Sequence, residues 1–306
     1  MTTLLVSQPN FADHVTPQGH PERADRIRAV EDALKSPRFD RLMRRNAPTG
    51  DLMLAELVHD ARYLAHLRQG RPAEGIGQLD ADTFISANSL SAAATGLGGA
   101  LAALDAVLLG EADNAFCAIR PPGHHAEIAT PMGFCLINTV AIVAREAQRK
   151  YGAERVAIVD FDVHHGNGTQ DIFYDRPDVL YVSIHADPVM DYPYYWGHAD
   201  ETGAAAGAGA TLNFPLPRGT DWIGYEPALV SALERIALHE PDLLIVSYGA
   251  DTYESDPISH FKLKTADYAP MARRIAALGL PTVVVMEGGY AVEALGANVS
   301  TFLSGF

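Results

Sequence analysis

Short apolar, β-branched runs alternate with longer stretches of helical period along the 306 residues. Leu4–Val6, Ala115–Ile119, Val156–Asp160, Val179–Ile184, Leu243–Ser247 and Thr282–Met286 read as strands. Their near-continuous apolar character, bounded by polar turns, suits strands covered on both faces. Helical patterns lie between them at Pro21–Leu34, Ser89–Leu109, Asn138–Tyr151, Trp222–His239, Ala266–Leu278 and Val292–Leu303. This alternation predicts an α/β fold, a three-layer α/β/α arrangement around a mainly parallel central sheet. The Ala/Gly-rich stretch Thr202–Ala210 is too short and too embedded to be a linker and reads as a surface loop. With no internal repeat and no hinge, residues 1–306 read as a single domain. Ligands of open parallel sheets bind beyond the carboxyl ends of the strands, which is where chemistry is sought.

Composition narrows the classes. An apolar share of 48% is ample for a packed core and argues against disorder. No run is read as the ~18 uncharged apolar residues that span a bilayer, and the first residues lack a signal-peptide pattern, so no membrane association is expected. Two cysteines, Cys117 and Cys135, cannot form a disulfide framework; a reducing, cytoplasmic setting is expected. A net charge of -15 opposes nucleic acid and favours small cationic ligands.

The strand ends carry the chemistry. Ala115–Ile119 runs into Arg120-Pro-Pro-Gly-His124-His125, a rigid turn that sets two histidines at the sheet mouth. Val156–Asp160 runs into Asp160-Phe-Asp162-Val-His164-His165-Gly-Asn167. The period of two along a strand would point Asp160, Asp162 and His164 the same way, with His165 opposite as a structural residue. Two carboxylates and an imidazole suit Zn²⁺ or Fe²⁺. Leu243–Ser247 leads to Asp251, which would complete a catalytic zinc set of three protein ligands with an open position. Thr282–Met286 leads to Glu287-Gly-Gly-Tyr290, where the glycine pair would let an aromatic hydroxyl swing into the cleft.

These residues resemble the histone deacetylase family, whose members share the arginase/deacetylase α/β fold. The marks are His14…His20-Pro21-Glu22, RPPGHH (Arg120–His125), GFCLIN (Gly133–Asn138), VDFDVHHGNGTQDIFY (Val159–Tyr174), GADTYESDP (Gly249–Pro257) and EGGY (Glu287–Tyr290). The resemblance implies that Asp162, His164 and Asp251 bind zinc. It makes His124 and His125 the tandem catalytic histidines, with Asp160 and Asn167 as their respective partners. Tyr290 is then the tyrosine that polarises the amide carbonyl. Gly133, Phe134 and Tyr192 become walls of an acyl-amine tunnel. A structural potassium near Asp160, Asp162, His164 and Ser183 is implied too, and Arg26 matches an arginine at the pocket floor. Two stretches, Ala206–Thr220 and Ala250–Thr265, are most similar to bacterial acetylpolyamine amidohydrolases. The loop insertion through which those enzymes dimerise is not found, Ala250 replaces a bulkier residue, and Thr139 stands where many members have a second Asn.

The implied activity is zinc-dependent hydrolysis of an amide, releasing acetate and a free amine. Zinc lowers the pKa of water from ~15.7 toward ~7. The Tyr290 hydroxyl would stabilise the oxyanion. His125, paired with a neutral amide, would be general base and acid, and His124, paired with a carboxylate, would be more cationic. N-acetylated polyamines lead as substrates. An acetyl-lysine peptide is the alternative, and a non-catalytic acyl-amine-binding member of the fold is the alternative of another class. A two-metal ureohydrolase would need more ligands. Homo-oligomerisation stays open.

Overall fold

In the computed structural model, which describes residues 1–306, the chain order is β1 (Thr3–Ser7), α1 (Asp25–Ala33), β2 (Met43–Asn46), α2 (Tyr63–Gly70), β3 (Ile76–Gln78), β4 (Phe84–Ser86), α3 (Ser89–Leu108), β5 (Asn114–Ala118), α4 (Thr139–Tyr151), β6 (Val156–Asp160), α5 (Asn167–Phe173), β7 (Val179–Ala186), β8 (Thr211–Leu216), α6 (Trp222–His239), β9 (Leu243–Tyr248), α7 (Tyr268–Ala276), β10 (Thr282–Met286) and α8 (Val292–Leu303). Eight strands form one sheet in the order β2-β1-β5-β10-β9-β6-β7-β8. Every pairing in it is parallel. β3 and β4 make a separate antiparallel pair.

Alternation along each strand divides the core. Val156 and Ile158 of β6 join one apolar cluster, with residues of α2, α3 and α4. Ala157 and Val159 join the other, with residues of α1, α6, α7 and α8. The clusters hold 39 and 37 buried residues, so the sheet is covered about equally on both faces, which is why its strands read as unbroken apolar runs.

All six expected strands form, with small shifts at their ends. Four of the six expected helices keep their bounds to within a residue; the other two are shorter. The Pro21–Leu34 pattern becomes helical only at Asp25, and Ala266–Leu278 forms a helix only over Tyr268–Ala276 after a single 3₁₀ turn. One composition-based expectation is corrected. α3 is long and apolar enough to cross a membrane, but 78% of its apolar window is buried inside this fold, so its apolarity is that of a core helix.

The segment before α1 stays non-helical because it feeds a buried ion cluster. Glu22 and Arg120 are fully buried and form a two-pronged pair, Nε–Oε1 at 2.7 Å and Nη2–Oε2 at 2.6 Å. Arg26 Nη1 reaches Glu22 Oε1 at 3.3 Å, and His14 Nε2 lies 3.4 Å from Glu22 Oε2. Burial resists the charge on Glu22, but Arg120 and His14 overcome it and hold the carboxyl well below its ordinary value. Its stabilising share is therefore full above the unfolded-state carboxylate pKa and is lost as pH falls through the depressed folded value. Glu22→Gln is expected to cost about 3–5 kcal/mol near neutral pH, by leaving Arg120 buried and unpaired, and to flatten the acid limb of the stability curve. Denaturant unfolding between about pH 3 and 7 measures both; an unchanged midpoint would show that the cluster is not a stabilising contact.

Candidate active site

Five adjacent strands, β5, β10, β9, β6 and β7, deliver the candidate residues from their carboxyl ends or from the loops that follow. Chain order scatters these residues from His124 to Tyr290; sheet order makes them neighbours.

After β6 the chain leaves the extended conformation at once. Asp162 N donates to Asp160 Oδ1 at 3.1 Å, and His164 N donates to Asp162 Oδ1 at 2.9 Å. These successive Asx turns, not a strand of period two, place Asp162 and His164. The expected alignment of three side chains is thus corrected: Asp162 and His164 come together with Asp251, while Asp160 turns to His124. His165 packs against His185 and bonds Gln170, away from the site.

The ligand atoms of Asp162, His164 and Asp251 all lie within 4.8 Å of one another. His164 Nδ1 is 3.1 Å from Asp162 Oδ1 and 3.5 Å from Asp251 Oδ2. Asp251 Oδ1 accepts from Val163 N at 2.9 Å, but Oδ2 is buried with no hydrogen-bond partner. An orphaned buried carboxylate oxygen beside a second carboxylate and an imidazole fits a divalent cation, and the O/N donor set fits zinc. Burial and the charge of Asp162 push Asp251 up to about 7, the unfavourable crowding a cation would relieve. Gly288 seals the cradle: its N–H donates to Asp162 Oδ2 at 2.8 Å, and a Cβ there would fall on the carboxylates of both Asp251 and Asp162. The glycine is needed for this approach rather than for a swinging tyrosine.

The EGGY loop is in fact pinned. Arg26 donates to the carbonyls of Gly289 (2.7 Å) and Glu287, and its guanidinium lies 4.7 Å from the Tyr290 ring centroid. Asp256 Oδ2 accepts from the backbone N–H groups of Tyr290 and Ala291 at 2.7 and 3.1 Å.

The tandem histidines stand beside the ligand cluster with different partners. His124 Nδ1 is 3.0 Å from Asp160 Oδ2, and its Nε2 is 3.7 Å from Asp162 Oδ2. Burial opposes its charge, but Asp160 and Asp162 prevail and push its pKa to about 10. His125 Nδ1 is 2.7 Å from Asn167 Oδ1. Burial, reinforced by His124 and His164, holds His125 well below the ordinary imidazole value.

A second group, His124, Cys135 and Glu287, also clusters. Its donors are engaged: Glu287 accepts from the N–H groups of Gly123 and His124 and from the Ser247 hydroxyl, and burial pushes the Cys135 thiol well up. It is the poorer metal site.

Above these groups opens a cavity of about 300 Å³, lined among others by His125, His164, Tyr290, Gly133, Phe134 and Tyr192. Gly133 (φ 58°) and Phe134 (φ 68°) are both left-handed, a conformation costly for phenylalanine that turns its ring to face Tyr290 at 5.8 Å. Tyr192 stands edge-on to His125, 4.9 Å between centroids. The channel has polar walls as well as the Gly133, Phe134 and Tyr192 expected from the sequence. Half-buried Asp82, buried Asp191 and exposed Arg218 and His260 also line it, with Arg218 held by Asp191 at 2.9 Å. Asp82, Asp256 and Glu287 are contributors to which the sequence reading assigns no role, although the DTYESDP and EGGY motifs contain the last two.

Residues 20–306 match the histone deacetylase domain family. The chain belongs to that family. It is 54% identical over 195 residues to acetylpolyamine amidohydrolase 1 of Pseudomonas aeruginosa, covering 64% of this chain and 56% of that protein. It is 48% identical over 225 residues to the acetylpolyamine amidohydrolase of Mycoplana ramosa, covering 74% of this chain and 65% of that protein. The matches thus span somewhat under two thirds of these relatives' own lengths. The acetylpolyamine aminohydrolase structure from Burkholderia pseudomallei superposes with a TM-score of 0.90 at 32% identity, over 100% of this chain and 98% of that one. The mainly parallel sheet flanked by helices is the fold of these deacetylase relatives.

Two substitutions test the metal cradle. Asp251→Ala is expected to abolish zinc binding, measured as metal per chain after dialysis, because each of three ligands carries a large share of affinity. Gly288→Ala is expected to do the same without removing any ligand; full metal occupancy in either variant contradicts the assignment.

Proposed function

We propose that the chain is a zinc-dependent amidohydrolase that removes acetyl groups from amines, with N-acetylated polyamines as its preferred substrates. The observation that carries the reading is the clustering of Asp162, His164 and Asp251, of which His164 lines a cavity together with His125 and Tyr290. When bound there, zinc would supply Lewis-acid polarisation of the carbonyl and a lowered pKa for water.

The chain's own groups do the rest. His125, neutral at working pH, takes a proton from the attacking water and delivers it to the departing amine. His124, kept cationic by Asp160, orients its neighbour and offsets carboxylate charge. Tyr290 donates its hydroxyl proton in a hydrogen bond to the developing oxyanion. Phe134 and Tyr192 hold the alkyl chain, and their apolar faces exclude water. A structural potassium is part of the proposal on family resemblance, near Asp160 and Ser183, which face each other across β6 and β7.

The substrate class rests on charge and on the named relatives, two of which are acetylpolyamine amidohydrolases. Arg218 at the mouth is neutralised by Asp191, whereas Asp82 leaves a carboxylate beside the channel. With a net charge of -15, the mouth favours a linear cation.

A parallel assay of N-acetylputrescine, N-acetylcadaverine and an acetyl-lysine peptide on zinc-loaded protein tests this. The two acetylpolyamines should have the higher kcat/KM. Preference for the peptide would make the protein a peptide deacetylase, and no turnover of any of them would make it a binding member of the fold. Tyr290→Phe should lower kcat about 10²–10³-fold with little change in KM, since an oxyanion donor acts in the transition state. Tyr192→Ala should instead raise KM more than it lowers kcat; an unchanged KM would take Tyr192 off the substrate path.

A further inference from the structure

A half-buried carboxylate that the mechanism above does not use lies against the partner of His125. Glu127 Oε1 accepts from Asn167 Nδ2 at 2.8 Å and from the Tyr195 hydroxyl at 2.8 Å. The other atoms around Asn167 Nδ2 are the His125 carbonyl at 3.5 Å, Met132 Sδ at 3.3 Å and the Tyr195 oxygen at 3.4 Å. Every neighbour on that side is an acceptor, and the carboxylate is the strongest and nearest of them. The opposite end of the amide, Oδ1, meets His125 Nδ1 at 2.7 Å.

The consequence follows from donor and acceptor bookkeeping. An ionised carboxylate has only lone pairs, so it selects the NH₂ face of Asn167. The amide oxygen is thereby turned to His125, and an amide oxygen only accepts. A neutral His125 must then carry its proton on Nδ1, leaving a lone pair on Nε2. A flipped amide would present NH₂ to Nδ1, move the ring proton to Nε2, and remove the lone pair a general base requires. The weaker and more distant acceptors around Asn167 Nδ2 hold this orientation only loosely; the carboxylate behind it fixes it.

We propose that Glu127 is a positioning residue that sets the tautomer of His125 through the orientation of Asn167. Tyr195, from the same β7–β8 loop as Tyr192, donates its hydroxyl to Glu127 and steadies it. The consequence for turnover rests on the reading of His125 as general base; the tautomer itself does not.

Glu127→Gln, Asn167→Asp and the double variant, all zinc-loaded, test it. The amide introduced by Glu127→Gln can offer either face to Asn167, so the strongest source of selection is removed. The kcat should fall about 10–100-fold, by analogy with the loss on removing the hydrogen-bond partners that orient metal-ligating histidines, with KM and zinc content unchanged. Imidazole carbon and nitrogen shifts of labelled protein should show the Nε2–H form of one histidine rising. Asn167→Asp alone sets two carboxylates in contact and should also lower kcat. In the double variant the introduced amide donates to the introduced carboxylate, which has no wrong face to present, so turnover should recover above both single variants. Losses that simply add, leaving the double variant worst, would overturn the proposal, as would an unchanged tautomer in Glu127→Gln with zinc retained. A changed tautomer with normal kcat would support the positioning role and reject His125 as the base.

Discussion

Burial of negative charge at the carboxyl edge of the sheet is the constraint on which the rest of this structure depends. Asp160, Asp162, Asp251 and Glu287 are each no more than 1% exposed and follow three adjacent strands, β6, β9 and β10. Uncompensated, each such charge costs several kcal/mol. Backbone N–H groups of Asp162, Val163, His164, Gly288, Gly123 and His124 point inward to accept this burden, and His124 supplies a positive charge. What these leave over is Asp251 Oδ2. The loops around the site take their shapes from this arrangement: Asx turns after β6, a glycine with no room for a Cβ after β10, and a rigid turn after β5.

The outer parts serve the same centre. The Glu22–Arg120–Arg26 cluster looks like an isolated structural ion network, yet Arg26 continues from it to the carbonyls of Glu287 and Gly289 and to the ring of Tyr290. The N-terminal His14…Glu22 motif thus fixes, through one arginine, where the tyrosine stands. Glu127, Asn167 and Tyr195 in turn tie His125 to the loop that carries Tyr192 at the cavity wall. The site is braced from both ends, which suits chemistry that depends on fixed dipoles and fixed proton positions.

Buried strands are legible in the sequence because both faces of the sheet are covered and apolar runs result. The two edge strands are not. β2 is Met-Arg-Arg-Asn, with no apolar pattern, and β8 contains Pro215, which a sheet tolerates at its edge but which argues against a strand in sequence. The period-two argument that singles out the candidate ligands Asp162 and His164 does not hold, since the strand stops at Asp160; the residues cluster through side-chain-capped turns. Glu127 and Asp82 carry no pattern of their own. Their significance comes from contact with Asn167, 40 positions away, and from a cavity whose walls come from scattered segments, which only the fold assembles.

X-ray absorption at the zinc edge of metal-loaded protein tests the central claim most directly, because the two clusters of metal-ligating side chains differ in one element. Coordination by Asp162, His164 and Asp251 predicts a shell of oxygen and nitrogen alone at about 2.0–2.2 Å, with the outer scattering of a single imidazole. A sulfur scatterer at about 2.3 Å would place the metal at His124, Cys135 and Glu287 instead and contradict the account.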